Sequence, residues 1–266
     1  MLVEKYCEFP AMVRKPMWHI WHKLLIWFDH DISANFMNYG YQSLNGDKYL
    51  HLGKFDEKNR YCIQLYDHVV NRIDLRDKNV AEVGSGRGGG ASFVSRYYKP
   101  KSYTGLDISG SVINFCNRYY KIQGLSFVKG IAEKQPFLDN CFDIVLNIES
   151  ARCYNSLNTF FREVYRILRP NGYFLFADMI KKDEVEEMKN KLIECGFEIK
   201  HKSDITKNIV ASLDKDTKRR ELLINEKIPG LLKNLFAHFA ALKGTDRYEG
   251  FVNGKYKYWS YVLQRV

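Results

Sequence analysis

A glycine-rich segment that follows a short apolar run carries the first residues able to do chemistry. The run ends with Glu82 and Val83, and Gly84, Gly86 and Gly88 then alternate with other residues before a helical pattern begins. Glycine lets a backbone turn sharply and lets a ligand approach it closely, and a new helix offers free N–H groups at its start. The segment therefore predicts a ligand-binding loop between a strand and a helix; the alternative is an ordinary tight turn.

A second acidic residue narrows the class of ligand. Asp107 ends another short apolar strand about 20 residues after the loop, where nucleotide-binding folds carry the carboxylate that binds ribose hydroxyls. Dinucleotide loops of this kind receive a pyrophosphate at the helix N-terminus, and Glu82 would repel it. The same carboxylate suits a cationic amino-acid group. The two acids therefore favour S-adenosylmethionine (SAM), which has a ribose and an adenine but no phosphate.

Alternating strands and helices predict the elements that position these acids. Short apolar strands alternate with amphipathic helices, which indicates an α/β fold with a Rossmann-like, seven-stranded, mostly parallel sheet and helices on both faces. Arg169-Pro170-Asn171-Gly172 predicts a helix stop and a turn. The pattern predicts strands at about 79–84, 102–107, 125–129, 142–148, 172–178, 196–203 and 255–264, and helices at about 57–73, 89–98, 110–122, 156–168, 182–195 and 229–242.

Two regions are predicted to flank this core. Residues 1–54 are expected to form an N-terminal helical cap with an apolar stripe between Trp18 and Phe28, and residues 55–266 the cofactor-binding domain. A stretch at about 204–254, between the last two strands, is predicted to be an insertion that covers the substrate. The apolar cap helix and the apolar helix at 229–242 indicate a large apolar substrate; core packing and a dimer contact are the alternatives.

Composition sets the broad class of protein. Of the 266 residues, 45% are hydrophobic, as in a globular chain, and no apolar run reaches the ~18 residues needed to span a bilayer. The six cysteines form no C-x-x-C pair, so we expect free thiols, no metal site and a cytoplasmic location. The net charge of +10 suits nucleic acid, an anionic membrane or an acidic substrate, but the basic run at 215–220 is interpreted as a solvated surface.

Five motifs in order make the chain resemble the class I SAM-dependent methyltransferases over roughly residues 55–200. They are the loop from Glu82, the acid Asp107, the segments 130–137 (GIAEKQPF) and 142–147 (FDIVLN), and the segment 163–173 (EVYRILRPNGY). Within that family, segments 88–92, 102–107 and 147–154 look most similar to phthiotriolone and phenolphthiotriolone dimycocerosate O-methyltransferases. The resemblance implies methyl transfer from SAM, with S-adenosylhomocysteine as product, to a hydroxyl group of a small-molecule, lipid or polyketide acceptor.

The resemblance also implies a set of cofactor-binding residues. An aromatic loop at 36–41 adds a tyrosine whose ring could close over a sulfonium. Ile131 departs from the family, which usually has an Asp there for the adenine amino group; adenine must then rely on the backbone near Ala132, on apolar packing or on Glu133. The set is Tyr39, Glu82, Gly84, Ser85, Gly86, Gly88, Asp107, Ile108, Ile131, Ala132, Glu133 and Asn147.

Three residues at or just after the ends of the fourth and fifth strands are predicted to be catalytic: Asp178, Arg152 and Glu149. A hydroxyl acceptor needs a base, and Asp178 is the first candidate, with a helix cap as its alternative role. Related O-methyltransferases often have His at the position of Arg152, which stays protonated. Arg152 is therefore predicted to pair with Asp178 or to bind an anionic group of the substrate. Glu149 and His22 are the second candidates for the base.

Other functions stay open on the sequence alone. N- or C-methylation of a small molecule is one, because an amine or a carbanion needs a different base or none. A SAM-binding protein without catalysis is another, given Ile131 and Arg152. Nucleic-acid methylation is disfavoured, because residues 147–150 (NIES) stand where such enzymes carry an Asn/Asp-Pro-Pro-aromatic tetrad. A peripheral membrane contact and a homodimer also stay open.

Overall fold

The structure, a computed structural model, describes residues 35–46 and 50–266. The chain divides into two compact units, which we call the helical unit (Met1–Leu65 and Thr206–Tyr256) and the sheet unit (Tyr66–Ile205 and Lys257–Val266). The stripe from Trp18 to Phe28, with His22, lies outside the described residues, as does most of the predicted cap at 1–54. Within the described ranges, no helix has the length and apolar character needed to cross a membrane.

The sheet unit is built around one seven-stranded sheet with the order β3-β2-β1-β4-β5-β7-β6. Strands β1 to β5 pair in parallel, and β6 pairs antiparallel with β7. The predicted Rossmann-like, mostly parallel sheet is confirmed. The strands are β1 (Asn79–Val83), β2 (Ser102–Asp107), β3 (Leu125–Lys129), β4 (Phe142–Ile148), β5 (Leu168–Lys181), β6 (Phe197–Asp204) and β7 (Tyr256–Arg265).

The helices follow most of the predicted bounds. The boundary between the two units falls inside α2, and α3 to α6 belong to the sheet unit. Across the described part of the chain they are α1 (Lys54–Glu57), α2 (Arg60–Val70), α3 (Gly89–Tyr98), α4 (Gly110–Tyr119), α5 (Leu157–Ile167), α6 (Val185–Glu194), α7 (Thr206–Lys227), α8 (Lys233–Phe239) and α9 (Asp246–Val252).

The core of the sheet unit buries β1 and β4 over nearly their whole length. Central parallel strands are covered on both faces, so almost every side chain is buried. Phe160 and Phe161 of α5 meet Phe174 and Phe176 of β5, with ring centroids 5.8–6.1 Å apart between the two elements. Ser156 caps α5, since its Oγ accepts a hydrogen bond from the Thr159 amide at 3.2 Å. This packing fixes the ends of β4 and β5, which carry the predicted catalytic residues.

The fifth strand starts earlier than predicted. It begins at Leu168, which pairs with Phe142, and the register then shifts so that Ile144 pairs with Tyr173. The predicted turn at 169–172 is therefore an irregularity within β5, in which Asn171 has a φ of +63°. Asparagine tolerates this left-handed conformation better than most residues, so the helix stop is confirmed while the strand continues through the turn signal.

The helical unit contains an element that the sequence pattern did not predict. α7 has 22 residues, and its buried face includes Ile209, Leu213, Asp216, Arg220 and Ile224. Asp216 and Arg220 occupy core-facing positions as an ion pair, with Arg220 Nε 3.0 Å from Asp216 Oδ2. The interpretation of residues 215–220 as a solvated surface is therefore wrong for these two residues, because a charged pair can be buried when each partner satisfies the other.

The helix predicted at 229–242 is shorter in the structure. A 3₁₀ turn, Gly230–Leu232, precedes α8, which ends at Phe239. Ile224, Ile228, Phe236 and Leu242 form a small apolar cluster, with Leu232, Ala237 and Ala240 packed against it. The apolar residues that suggested one long helix are thus shared by the end of α7, the turn and α8.

Candidate active site

The glycine loop between β1 and α3 has the sharp backbone that its sequence predicts. Gly84, Gly86 and Gly88 have φ values of +79°, +50° and +77°, which favour glycine. The amides of Gly84 and Ser85 both donate to the Leu106 carbonyl of β2, at 2.8 and 3.0 Å. A Cβ at Gly84 would collide with the side chains that follow β4. The loop is therefore held by the neighbouring strand in a form that only glycine accommodates.

Hydrogen bonds from backbone amides fix the Asp107 side chain beside this loop. Its Oδ2 accepts a hydrogen bond from the Gly86 amide at 3.0 Å, and its Oδ1 accepts one from the Ser109 amide at 2.9 Å. The side chain is almost fully buried, and the next residue, Ile108, is half-buried. Each carboxylate oxygen has a second lone pair, so Asp107 can hold the loop and accept further hydrogen bonds.

Glu82 lies in the interior. Its Oε1 accepts a hydrogen bond from the Tyr66 hydroxyl at 2.7 Å and its Oε2 one from the Tyr103 hydroxyl at 2.9 Å. Burial raises the pKa of Glu82 to about 7, although the two hydroxyls oppose this shift. Neither tyrosine was predicted as a site residue. The sequence feature that could have indicated Tyr66 is Gly90, because a Cβ at Gly90 would occupy the position of the Tyr66 ring.

Asn147 joins the loop to the segment after β4. Its Nδ2 lies 2.8 Å from the Val83 carbonyl, 2.7 Å from Ser150 Oγ and 2.9 Å from the Tyr154 hydroxyl, and two hydrogens serve these three acceptors. Asn147 Oδ1 and Ser85 Oγ are buried without a hydrogen-bond partner among the described residues. Orphaned acceptors at a loop of this kind are typical of atoms that a ligand satisfies.

The segment after β3 contains the residues predicted at the adenine. Ile131 is 44% exposed, whereas Ala132 is buried and its carbonyl accepts a hydrogen bond from Gln135 Nε2 at 3.0 Å. Glu133 Oε1 accepts hydrogen bonds from the backbone amide and Nδ2 of Asn155, at 2.6 and 3.0 Å. Glu133 is thus engaged with the segment that follows β4, which the sequence did not indicate.

The three predicted catalytic residues come together in one cluster. Arg152 Nη1 donates to Asp178 Oδ1 at 2.7 Å, and Arg152 Nη2 lies 3.8 Å from Glu149 Oε2. Asp178 also accepts hydrogen bonds from the backbone amides of Met179, at 2.7 Å, and of Arg152, at 3.4 Å. Both carboxylates are buried, while the Arg152 side chain is 26% exposed. We call Glu149, Arg152 and Asp178 the catalytic cluster.

A tyrosine of β7 completes the surroundings of Glu149. The buried Tyr258 hydroxyl donates to Glu149 Oε1 at 3.0 Å, and burial with the nearby Glu149 carboxylate raises the pKa of Tyr258 well above its usual value. Glu149 itself has a φ of +56°. A left-handed conformation in a residue other than glycine is strained and is concentrated at functional sites. Tyr258 was not predicted, because its position depends on strand pairing at the far end of the chain.

Tyr39 belongs to the helical unit. Its carbonyl accepts a hydrogen bond from Ser212 Oγ at 3.1 Å, and its buried ring packs edge-on against Phe251 with centroids 5.3 Å apart. Its contact with a cofactor stays a prediction.

Comparison with known proteins identifies the family. A methyltransferase-domain family model matches residues 81–176. A fatty-acid O-methyltransferase of Mycolicibacterium smegmatis is 39% identical over 204 residues, or 77% of this chain and 74% of that protein. A phthiotriol/phenolphthiotriol dimycocerosates methyltransferase of Mycobacterium tuberculosis is 32% identical over 251 residues, or 94% of this chain and 93% of that protein. The chain belongs to the SAM-dependent methyltransferases.

The fold of this methyltransferase also occurs in an enzyme named for other chemistry. The structure of the [4+2]-cyclase SpnF is similar with a TM-score of 0.71 and 18% identity, covering 93% of this chain and 94% of that chain. At that identity the likeness shows the fold alone. The acceptor must therefore be argued from the site, because one fold hosts many reactions.

SAM is the cofactor of this methyltransferase, and the residues around the glycine loop suit it. The loop backbone permits close approach, Asp107 retains accepting lone pairs for ribose hydroxyls, and Asn147 Oδ1 and Ser85 Oγ offer buried acceptors. The individual contacts of the predicted residues with SAM stay predictions. Both oxygens of Glu82 already accept hydrogen bonds from Tyr66 and Tyr103. Glu82 is therefore expected to influence SAM through these two tyrosines.

Proposed function

We propose that this methyltransferase methylates an oxygen atom of a lipid-like acceptor, and in the first place a hydroxyl group. The observation that carries the proposal is the catalytic cluster, which combines two buried carboxylates with a partly exposed guanidinium, just after β4 and near the end of β5. A high-pKa hydroxyl needs such a base near the methyl donor. The relatives support a lipid, because their names include a fatty-acid and a dimycocerosates methyltransferase.

The two carboxylates suit different tasks in the proposed reaction. Asp178 accepts hydrogen bonds from the Arg152 guanidinium and from two backbone amides, and these occupy both of its oxygens. We therefore assign Asp178 to orienting Arg152. Glu149, oriented by Tyr258, is assigned as the base that takes the proton of the acceptor hydroxyl. SAM, when bound, supplies the electrophilic methyl group, and the residues hold donor and acceptor in line.

The test uses methyl-labelled SAM with a long-chain secondary alcohol. We expect Glu149→Gln to lower kcat by about 10²–10⁴ with KM little changed, because it removes general-base catalysis. Asp178→Asn is expected to act mainly on KM, since it releases Arg152. A Glu149→Gln enzyme with wild-type kcat would show that Glu149 is not the base.

A carboxylate acceptor is the second candidate, and the partly exposed Arg152 guanidinium favours it. A fatty acid is already deprotonated at neutral pH and needs no base, whereas a guanidinium binds a carboxylate through two parallel hydrogen bonds. For this acceptor we expect Glu149→Gln to retain most of its turnover and Arg152→Lys to raise KM at least tenfold. The alcohol and the fatty acid of equal chain length therefore distinguish the two candidates.

Two further predictions concern the role of the segment at about 204–254 and the cellular location of the protein. We propose that the segment at about 204–254 covers the acceptor; crosslinking of a photoreactive lipid acceptor to α7 or α8 tests this. A cytoplasmic location is supported by the cysteines of the described residues, which are all free thiols. Cell fractionation tests that location, and recovery in an extracellular fraction would contradict it.

A further inference from the structure

An exposed apolar turn connects α7 to α8 in the helical unit. The segment consists of Pro229, Gly230, Leu231 and Leu232, and we call it the apolar turn. The Leu231 side chain is 96% exposed, more than any other large hydrophobic residue among those described. Pro229 and Gly230 are exposed as well. A single exposed leucine is common on protein surfaces, so the surroundings of this one decide whether it has a role.

Residues at both ends of the apolar turn pack into the interior of the helical unit. Ile228, just before it, belongs to the small apolar cluster of the helical unit, and Leu232, at its end, packs against the same cluster. Leu231 lies between these two inward-facing residues and points the other way. No heavy atom lies within 4 Å of a Cβ built on Gly230. The turn is therefore anchored at both ends while Leu231 is exposed to solvent. The Leu231 side chain makes no contribution to the apolar cluster.

Basic residues flank the apolar turn. Lys227 ends α7 and Lys233 begins α8, with Lys233 Nζ 3.2 Å from Asn225 Oδ1 at the end of α7. Glu226 is the acidic residue nearby in sequence. Across 206–256 there are ten Lys or Arg residues and six Asp or Glu residues; Arg220, Arg247 and Asp216 are buried, which leaves eight basic and five acidic residues. An exposed leucine between lysines is complementary to an anionic bilayer, which offers negative headgroups around an apolar interior.

We propose that the apolar turn docks this methyltransferase on an anionic phospholipid surface by inserting Leu231 while the flanking lysines contact headgroups. The inference rests on the proposed function, since a lipid acceptor of low solubility in water accumulates in a bilayer. Insertion needs no spanning helix, because contact at the interface is stabilised by buried apolar area together with attraction between basic residues and anionic lipids.

Vesicle co-sedimentation of the full chain tests the docking. The probes are phosphatidylcholine vesicles with and without phosphatidylglycerol, and the variants are Leu231→Ser and the matched control Leu138→Ser, whose side chain is 81% exposed in the sheet unit. We expect binding to the phosphatidylglycerol vesicles, weakened about tenfold by Leu231→Ser, in line with the transfer of one leucine side chain. Leu138→Ser should bind like the wild type, and high salt should weaken binding of both.

Equal loss of binding in both leucine variants, or none in either, would overturn the docking site. Preference for a neutral vesicle would overturn the choice of an anionic partner. A short, water-soluble acceptor separates this inference from the proposed function, because turnover of that acceptor by the wild type reports methyl transfer without any contribution from a membrane. If the wild type methylates no lipid yet binds the vesicles through Leu231, the proposed function fails and the docking site stands.

Discussion

Two buried carboxylates share one guanidinium in the catalytic cluster, and their different surroundings are the basis of the different tasks that we propose for them. Asp178 accepts hydrogen bonds from N–H donors at both oxygens, whereas Glu149 accepts one from a tyrosine hydroxyl and lies farther from Arg152. The sequence could predict that these residues meet, because the carboxyl ends of adjacent parallel strands lie at one edge of a sheet. It could not assign their hydrogen bonds, because these depend on side-chain orientation and on Tyr258 of the distant β7.

Glu82 gives this methyltransferase a pH-dependent contribution to stability. Its pKa is raised by burial from 4.5 to about 7, so the folded state binds more protons than the unfolded state between these values. The free energy of unfolding must then fall as pH rises through this window. We expect the wild type to lose about 2 kcal/mol more stability than Glu82→Gln between pH 5 and 8. Urea unfolding at the two pH values measures the difference, and equal losses would contradict a raised pKa.

The glycine loop yields a prediction that separates collision from backbone strain. Gly84→Ala would bring its methyl group into Ser150 and Tyr154, whereas Gly254→Ala has a nearly identical φ of +77° and open space around its Cβ. Both substitutions should cost about 1–2 kcal/mol in unfolding free energy from the left-handed conformation. We expect only Gly84→Ala to weaken SAM binding more than tenfold in calorimetry. Equal SAM affinities in the two variants would show that the Gly84 loop does not contact the cofactor.

At the scale of elements, the sheet was predictable and α7 was not. The strands are short apolar runs bounded by turns, and their predicted bounds agree with the structure to within one or two residues except in β5. α7 escaped prediction because Asp216 and Arg220 take two of its core-facing positions and interrupt the apolar period. A pattern based on hydrophobicity cannot recognise a buried ion pair, since each charge is acceptable only in the presence of its partner.

The buried pair of α7 should be important for stability. Arg220 binds Asp216 and also donates to the carbonyls of Asn38 and Ala240, at 3.1 and 3.2 Å. Arg220→Met removes all three interactions and leaves Asp216 with Arg219 as its remaining cation. We expect a loss of about 2–4 kcal/mol in unfolding free energy, measured by urea denaturation. Lys218→Met, on an exposed position of the same helix, is the control and should change stability by less than about 0.5 kcal/mol.

At the scale of the whole molecule, the motifs identified the family and the fold, while the acceptor depends on features that no motif carries. The mostly parallel sheet and the loop follow from alternation and glycine spacing, which are local properties of the chain. The tyrosines that hold Glu82 and the engagement of Glu133 by Asn155 are tertiary contacts that the sequence did not indicate. The exposed Leu231 likewise emerged only when the predicted helix at 229–242 was found to begin with a 3₁₀ turn.

Calorimetric binding of SAM and S-adenosylhomocysteine tests the central claim most directly, because methyl transfer by this chain requires a cofactor site at the glycine loop. The wild type should bind both ligands, and Asp107→Ala should bind them at least tenfold more weakly while its circular dichroism stays native. Such a result would support the assignment of Asp107 and the loop to the cofactor. Absence of binding in the wild type, or equal affinity in Asp107→Ala, would contradict the account.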